Sequence, residues 1–242
     1  MINIYKTKVM KEFLDPDFYN PCYDKHHLTG NHMLVCGGTG TGKTNFVSNV
    51  LIQMHDTFGK LIIVCKKKQE AVYKMFSSKL KDKCIIYDFK ELPPLAELAK
   101  TLQGQQTMMI FDDFVNDKNQ SRIEEYVIMA RKDMIMCVFL TQSFFGTSKI
   151  IRQNVGYVVL LAMANKKNLD MICDTIASLE KPTIIKCIKN ATKFKMNVCI
   201  IDLYNPDLNM KLRRNFDDFY TVVDDEGDEV EPNMFKTSGI LN

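Results

Sequence analysis

The sequence predicts an α/β fold in which a mostly parallel sheet carries helices on both faces. Three observations predict it. Seven short runs are continuously apolar rather than alternating, the mark of strands buried on both sides. Stretches with a helical apolar period separate most of them. The first run passes through a glycine-rich turn straight into an amphipathic helix.

The elements follow in order. Residues 1–30 are a turn-rich lead-in, 31–222 the body, and 223–242 an acidic tail poor in apolar residues and expected to be flexible. MLVC (33–36) is the first strand. The helix over 43–55 sets Phe46, Val47, Val50, Leu51 and Met54 on one face. LIIVC (61–65) is the second strand, and QEAVYKMFSSKL (69–80) the helix after it. CIIYDF (84–89) is the third strand; a helix over LAELAKTLQ (95–103) follows the Pro93-Pro94 break. TMMIFDD (107–113), a helix over 122–131, MIMCVFLTQ (134–142), GYVVLLAM (156–163), a helix over 165–180 and NVCIIDLY (197–204) complete the pattern. No internal repeat is visible.

Charge is unevenly spread. Residues 224–231 hold six acids and no base, so the first 223 residues carry 31 basic against 23 acidic side chains, a net of +8. A basic body tolerates polyanionic partners without specifying one. None of the eight cysteines forms a CxxC pair, and five (Cys36, Cys65, Cys84, Cys137, Cys199) sit in strand-like runs. They read as reduced thiols used as small hydrophobes, hence an intracellular protein. The chain opens without an apolar signal segment, and its longest apolar run, 157-YVVLLAMA-164, is too short to span a bilayer. A soluble protein with no membrane partner is expected.

The glycine turn carries the chemistry. Gly37-Gly38-Thr39-Gly40-Thr41-Gly42-Lys43-Thr44, followed by Asn45, contains GxxxxGK[ST], the phosphate-binding loop of P-loop NTPases. Bare glycine lets successive N–H groups close on phosphate oxygens, and the following helix adds its positive end. A flexible glycine hairpin would need neither the strand before nor the helix after. Lys43 is placed on the β- and γ-phosphates of ATP, Thr44 on Mg²⁺.

A second site is needed for hydrolysis. The run 108-MMIFDD-113 delivers Asp112 and Asp113 to the carboxyl end of a strand, where open α/β sheets bind ligands. Asp112 is the candidate Mg²⁺ ligand and Asp113 the residue that orients or deprotonates the attacking water. The next strand ends in Thr141-Gln142, and Gln142 is a candidate sensor of the γ-phosphate. Two intervening strands (61–65 and 84–89) precede the acid pair. That order favours additional-strand ATPases over GTPases and small-molecule kinases.

Together, GGTGTGKTNFVSNVL, MMIFDDF, 131-RKDMIMCVFLTQSFF-145 and 150-IIRQN-154 resemble the DNA-packaging ATPases of large double-stranded DNA viruses and virophages, within the FtsK–HerA group of ring motors. The resemblance covers about residues 30–165. It implies a RecA-like ATPase working as a homo-oligomeric ring that drives double-stranded DNA into a capsid. It implies capsid-protein partners and a place in the host cytoplasm (virus factory) or nucleus, or with the virion. It implies Lys43 and Thr44 as phosphate and Mg²⁺ contacts, Asp112 and Asp113 as the acid pair, and Gln142 as sensor. An arginine finger from the neighbouring subunit would complete the site. Arg131 matches the basic position before the sensor strand and Arg152 is the runner-up; each could instead be a surface or helix-end cation. Many related motors have Glu where Asp113 stands. Outside the resemblance, a helicase-like remodeller, a small-molecule kinase and a non-catalytic nucleotide-dependent scaffold are the rival readings.

Candidate DNA contacts are Lys66, Lys67 and Lys68; Lys186, Lys189, Lys193 and Lys195; and Lys211, Arg213 and Arg214, although basic runs are usually solvated faces. Cys22, His26 and His27 lack a fourth ligand and paired cysteines, so they read as structural or surface residues. The fifteen methionines read as core filler.

Overall fold

The first apolar run becomes the centre of the sheet. A computed structural model describes residues 31–54, 57–114, 120–162, 166–176 and 179–221. The lead-in with Cys22, His26 and His27, and the acidic tail, lie outside the described residues. Strand β1 (His32–Cys36) pairs in parallel with β5 (Ile135–Thr141) on one side and β6 (Val155–Leu160) on the other. With β2 (Lys60–Val64), β3 (Cys84–Tyr87), β4 (Thr107–Asp112), β7 (Cys199–Asp202), β8 (Leu212–Arg214) and β9 (Asp218–Phe219), they form one nine-stranded sheet of order β3-β2-β4-β5-β1-β6-β7-β8-β9. The pairs among β1–β6 are parallel, whereas β7, β8 and β9 are added antiparallel.

Alternate residues of each central strand feed two cores. Leu34, Val64, Phe111 and Phe139 face α3 (Leu95–Leu102), α4 (Gln120–Met129), α5 (Lys149–Asn154), α6 (Lys166–Thr175) and α7 (Lys181–Ala191). Met33, Val35, Ile63, Ile110 and Val138 face α1 (Lys43–Gln53) and α2 (Ala71–Leu80). Because both faces are covered, the strands read as unbroken apolar runs. Phe46, Val47, Val50 and Met54 of the first helical pattern are buried, with Leu51 packed at the edge of that core. Phe139 stacks on Phe111 at 5.0 Å and meets Phe114 edge-on at 5.6 Å. This aromatic cluster stiffens the ends of β4 and β5, where the candidate acids and sensor are carried.

All seven expected strands form, with ends shifted by a few residues. The expected helix over 165–180 is shorter, at 166–175, and a separate helix, α7, follows it. That helix adds to the reading of 186–195 as a basic run: Ile184, Cys187, Ile188 and Ala191 bury one face at helical spacing, Lys186 and Lys189 stay exposed on the helix, and Lys193 and Lys195 lie in the turn after it. Helix α5 and strands β8 and β9 are too short and too polar for periodicity to reveal. The seven described cysteines are free and buried, as reduced hydrophobes would be.

His32 gives this fold a pH dependence. It is 3% exposed, and its Nδ1 accepts the Cys137 N–H at 2.9 Å. Burial, then the charge of Arg131, holds its pKa down to about 4. The unfolded chain, with a histidine near the ordinary value of about 6.5, therefore takes up a proton that the folded chain refuses. This contribution to stability is intact above about pH 6.5 and is lost as pH falls toward 4. Between pH 7 and pH 5 the loss is about 2 kcal/mol. Unfolding free energies from urea titrations at the two pH values are expected to differ by that amount more in the native chain than in His32→Asn, which cannot titrate there.

Candidate active site

The carboxyl ends of β1, β2, β4 and β5 open onto a cleft of about 350 Å³. Thr39, Gly40, Gly42, Lys43, Thr44 and Asn45 line one wall, and Cys65, Lys66, Lys67, Glu70, Asp112, Asp113, Leu140 and Gln142 line the rest. Sequence positions separated by up to a hundred residues thus meet where parallel sheets place ligands. The glycine loop, Asp112, Asp113 and Gln142 share this one cavity.

The loop is built by its glycines and its anchors. Gly40 and Gly42 have φ of 73° and 106°, the left-handed region that favours glycine. Gly37 donates its N–H to Thr141 O at 3.1 Å, and Thr41 Oγ1 donates to Gly38 O at 2.8 Å. Gly42 caps α1, whose first-turn amides point toward the cleft wall without an acidic residue to occupy them. Lys43 Nζ donates to the carbonyls of Gly37 (2.8 Å) and Gly38 (3.1 Å). Burial lowers the Lys43 pKa, and the charges of Asp112 and Asp113 oppose that shift. The ammonium is thus folded back on its own loop, available to a stronger acceptor.

Asp112 ends β4 half-buried. Burial raises its pKa, and a hydrogen bond from Tyr73 counters this: Tyr73 Oη donates to Asp112 Oδ2 at 2.5 Å. Tyr73 is wholly buried on α2, and burial beside that carboxylate pushes its own pKa far up, so it stays a donor. Sequence reading passed over Tyr73 because it looks like one more apolar position of a helix; only the packing of α2 against β4 gives it this part. Asp113 is exposed, with φ of 55°, an uncommon conformation for a residue other than glycine that re-aims its carboxylate after the strand.

Gln142 is exposed on the loop after β5. Its neighbour Thr141 is buried and accepts the Ser143 N–H at 3.1 Å. From α6, the buried Asn168 accepts the Phe145 N–H at 2.9 Å, fixing the far side of this turn. Asn168 is another residue that the sequence did not flag.

The two finger candidates sit apart from the cleft. Arg131 is exposed at the amino end of the sheet, where its guanidinium donates to Asn31 Oδ1 at 3.3 Å. Arg152 lies on α5 with its guanidinium 5.4 Å from the centre of the Phe144 ring and a contact to the Met171 sulfur. The basic clusters also separate. Lys66 and Lys67 border the cleft, and Lys68 pairs with Glu91. The third cluster is structural, which corrects its reading as a DNA contact. Lys211 (7% exposed) donates to the carbonyls of Asp202 and Leu203, Arg213 (2% exposed) lies over Phe219, and Arg214 pairs with Asp218 at 3.0 Å. Lys211 and Arg213 are turned inward onto carbonyls and a ring that the sequence could not show, and Arg214 stays partly exposed on its carboxylate partner.

The glycines differ in what they tolerate. A Cβ on Gly37 would lie 2.6 Å from Thr41 Oγ1 and 2.8 Å from Leu161 Cβ, whereas one on Gly38 meets nothing nearer than 3.6 Å. Gly37→Ala is expected to weaken ATP binding at least about tenfold, or 1.4 kcal/mol, and Gly38→Ala much less; titration with a fluorescent ATP analogue measures both.

No protein-family model and no curated protein matches this sequence. Solved structures do match its fold. The genome packaging NTPase B204 of Sulfolobus turreted icosahedral virus 2, in complex with ATP-gammaS, superposes with a TM-score of 0.56 at 14% identity, covering 78% of this chain and 98% of that one. The DNA-packaging ATPase B204 of Sulfolobus turreted icosahedral virus gives 0.56 at 13% identity, covering 77% and 97%. The pCW3 conjugation coupling protein TcpA, with ATPgS, gives 0.50 at 12% identity, covering 77% and 60%. The parallel sheet, the loop-to-helix join and these likenesses together establish that the chain has the P-loop NTPase fold found in viral genome-packaging ATPases.

Proposed function

We propose that this protein is an ATP-hydrolysing motor that moves double-stranded DNA, and that it packages a viral genome into a capsid. One observation carries the reading. The phosphate loop, Asp112, Asp113 and Gln142 line a single cleft, although up to 103 residues (Thr39 to Gln142) separate them in sequence. The likeness of the fold to viral packaging NTPases supports the same reading.

The donor set suits magnesium. Thr44 offers a hydroxyl and Asp112 a carboxylate held in place by Tyr73, and no cluster of three metal-binding side chains occurs among the described residues. Such a sparse oxygen set fits an ion that keeps waters and takes further oxygens from phosphates. Bound there, Mg²⁺ would neutralise charge building on the phosphates. Lys43 leaves the carbonyls of Gly37 and Gly38 for the β- and γ-phosphates. The loop amides hold the phosphate oxygens against water. Asp113 orients the attacking water and accepts its proton. Gln142, at the end of the strand hydrogen-bonded to Gly37, feels the loss of the γ-phosphate.

Arg131 lies away from its own cleft and is exposed, which suits a finger reaching a neighbour's site in a homo-oligomeric ring. Arg152, packed on Phe144, is less free to do so. Of the basic clusters, Lys186, Lys189, Lys193 and Lys195 remain exposed and are the candidates to face DNA. Capsid proteins are the expected docking partners.

Steady-state ATP hydrolysis with and without duplex DNA tests the reading. Turnover that rises with DNA and falls at least about a hundredfold in Lys43→Ala is expected. Phosphate transfer to a metabolite, or tight binding without turnover under conditions that assemble rings, points instead to a kinase or a scaffold. For the finger, mixing Arg131→Ala with Asp113→Asn subunits is expected to restore part of the activity that each lacks alone. Intact mixed rings with no recovered turnover remove Arg131 from that part.

A further inference from the structure

We infer that the turn 192–197 forms the nucleobase side of the nucleotide site, with Phe194 as the platform on which the base of the bound nucleoside triphosphate stacks. The inference rests on the nucleotide reading above and extends it beyond the phosphates. Strand β7 is antiparallel, so its amino end lies at the same end of the sheet as the carboxyl ends of β1–β6. The turn between α7 and β7 therefore arrives beside the phosphate loop. Contact is direct. The Met196 sulfur packs against Gly42, where a Cβ would lie only 2.4 Å from it, and Leu161, after β6, backs the same glycine.

The turn is chemically unusual. Phe194 is 62% exposed and Met196 46%, beside the exposed lysines 193 and 195. Water gains nothing from an aromatic ring held out in it; the turn's backbone is pinned by the Asn197 N–H donating to Phe194 O at 3.2 Å, and Lys193 Nζ lies 5.7 Å from the ring centre. Met196 takes a φ of 72°, an uncommon conformation for a side chain of that size, and this places its thioether against the loop. The cleft already described holds the lysine, the acids and the sensor on the far side of the loop, toward β4 and β5. A triphosphate lying along the loop leaves its nucleoside on the other side, toward β6 and β7. An exposed ring with one ammonium near its face, in a turn whose thioether lies on the loop, suits a flat, electron-rich base joined to a phosphate chain.

Binding of two probes separates this from the phosphate chemistry: ATP, and inorganic tripolyphosphate, which lacks base and sugar. Phe194→Ala is expected to weaken ATP about tenfold, the usual scale of one base–aromatic stack, with tripolyphosphate unchanged within about twofold. Phe194→Trp is expected to keep ATP affinity. Lys43→Ala is expected to weaken both probes. If Phe194→Ala leaves ATP binding unchanged, or weakens tripolyphosphate as much as ATP while Lys43→Ala behaves as expected, the platform is overturned and the nucleotide site stands. The same holds if Phe194→Ala spares both probes but abolishes only the stimulation of turnover by duplex DNA, which makes the turn a DNA contact. If Lys43→Ala weakens neither probe, the nucleotide reading itself fails, and the inference with it.

Discussion

Gly37 donates its N–H to Thr141 at the end of β5, and Leu161, at the end of β6, donates its own to Cys36. These two hydrogen bonds hold the start of the phosphate loop between its neighbours before any ligand arrives. The loop therefore inherits the rigidity of the most buried part of the sheet rather than that of a surface turn. They also make the loop and the sensor strand one hydrogen-bonded unit. A shift of the loop backbone has a hydrogen-bonded route to the end of β5 beside Gln142 and, through the turn fixed by Asn168, to α6.

The charges of the cleft are balanced without being neutralised. Lys43 is partly desolvated and satisfied by two carbonyls, whereas Asp112 is partly desolvated and satisfied by Tyr73. Neither forms a close ion pair with the other. Burial disfavours both charged forms, so under the proposed function a polyanion with its counter-cation would find partners already oriented and under-solvated. That preorganisation is what phosphoryl transfer asks of a protein, since most of its barrier is lowered by placing charge rather than by covalent chemistry.

Rigidity is concentrated under this cleft. The Phe111, Phe114 and Phe139 rings lock the two strand ends that carry Asp112 and Gln142. An uncommon left-handed conformation sits just beyond β4, at Asp113, and another in the turn before β7, at Met196. The edges of the sheet are treated differently. Strand β3 is only partly buried, and β8 and β9 close the other edge with the Arg214–Asp218 ion pair and a cation over Phe219.

How much of this was legible without coordinates follows from the range of each interaction. The seven apolar strands, α1 to α4 and the glycine loop were legible because their signals are local: unbroken burial, helical period, a fixed spacing between Gly37 and Lys43. The pairing of loop, acid pair and sensor was legible because each lies just past a strand, and parallel strands bring their carboxyl ends together. Helix α7 was equally legible in its spacing of Ile184, Cys187, Ile188 and Ala191, but its lysines drew attention to the opposite face. The sequence alone determined the fold class and the glycine loop between strand and helix, since those depend on backbone periodicity and local spacing. Only the tertiary structure decided that Tyr73 holds Asp112, that Arg213 is buried while Arg131 is not, and that Met196 lies on Gly42. Each of those depends on contacts between distant segments, and a side chain's type does not specify what will pack against it.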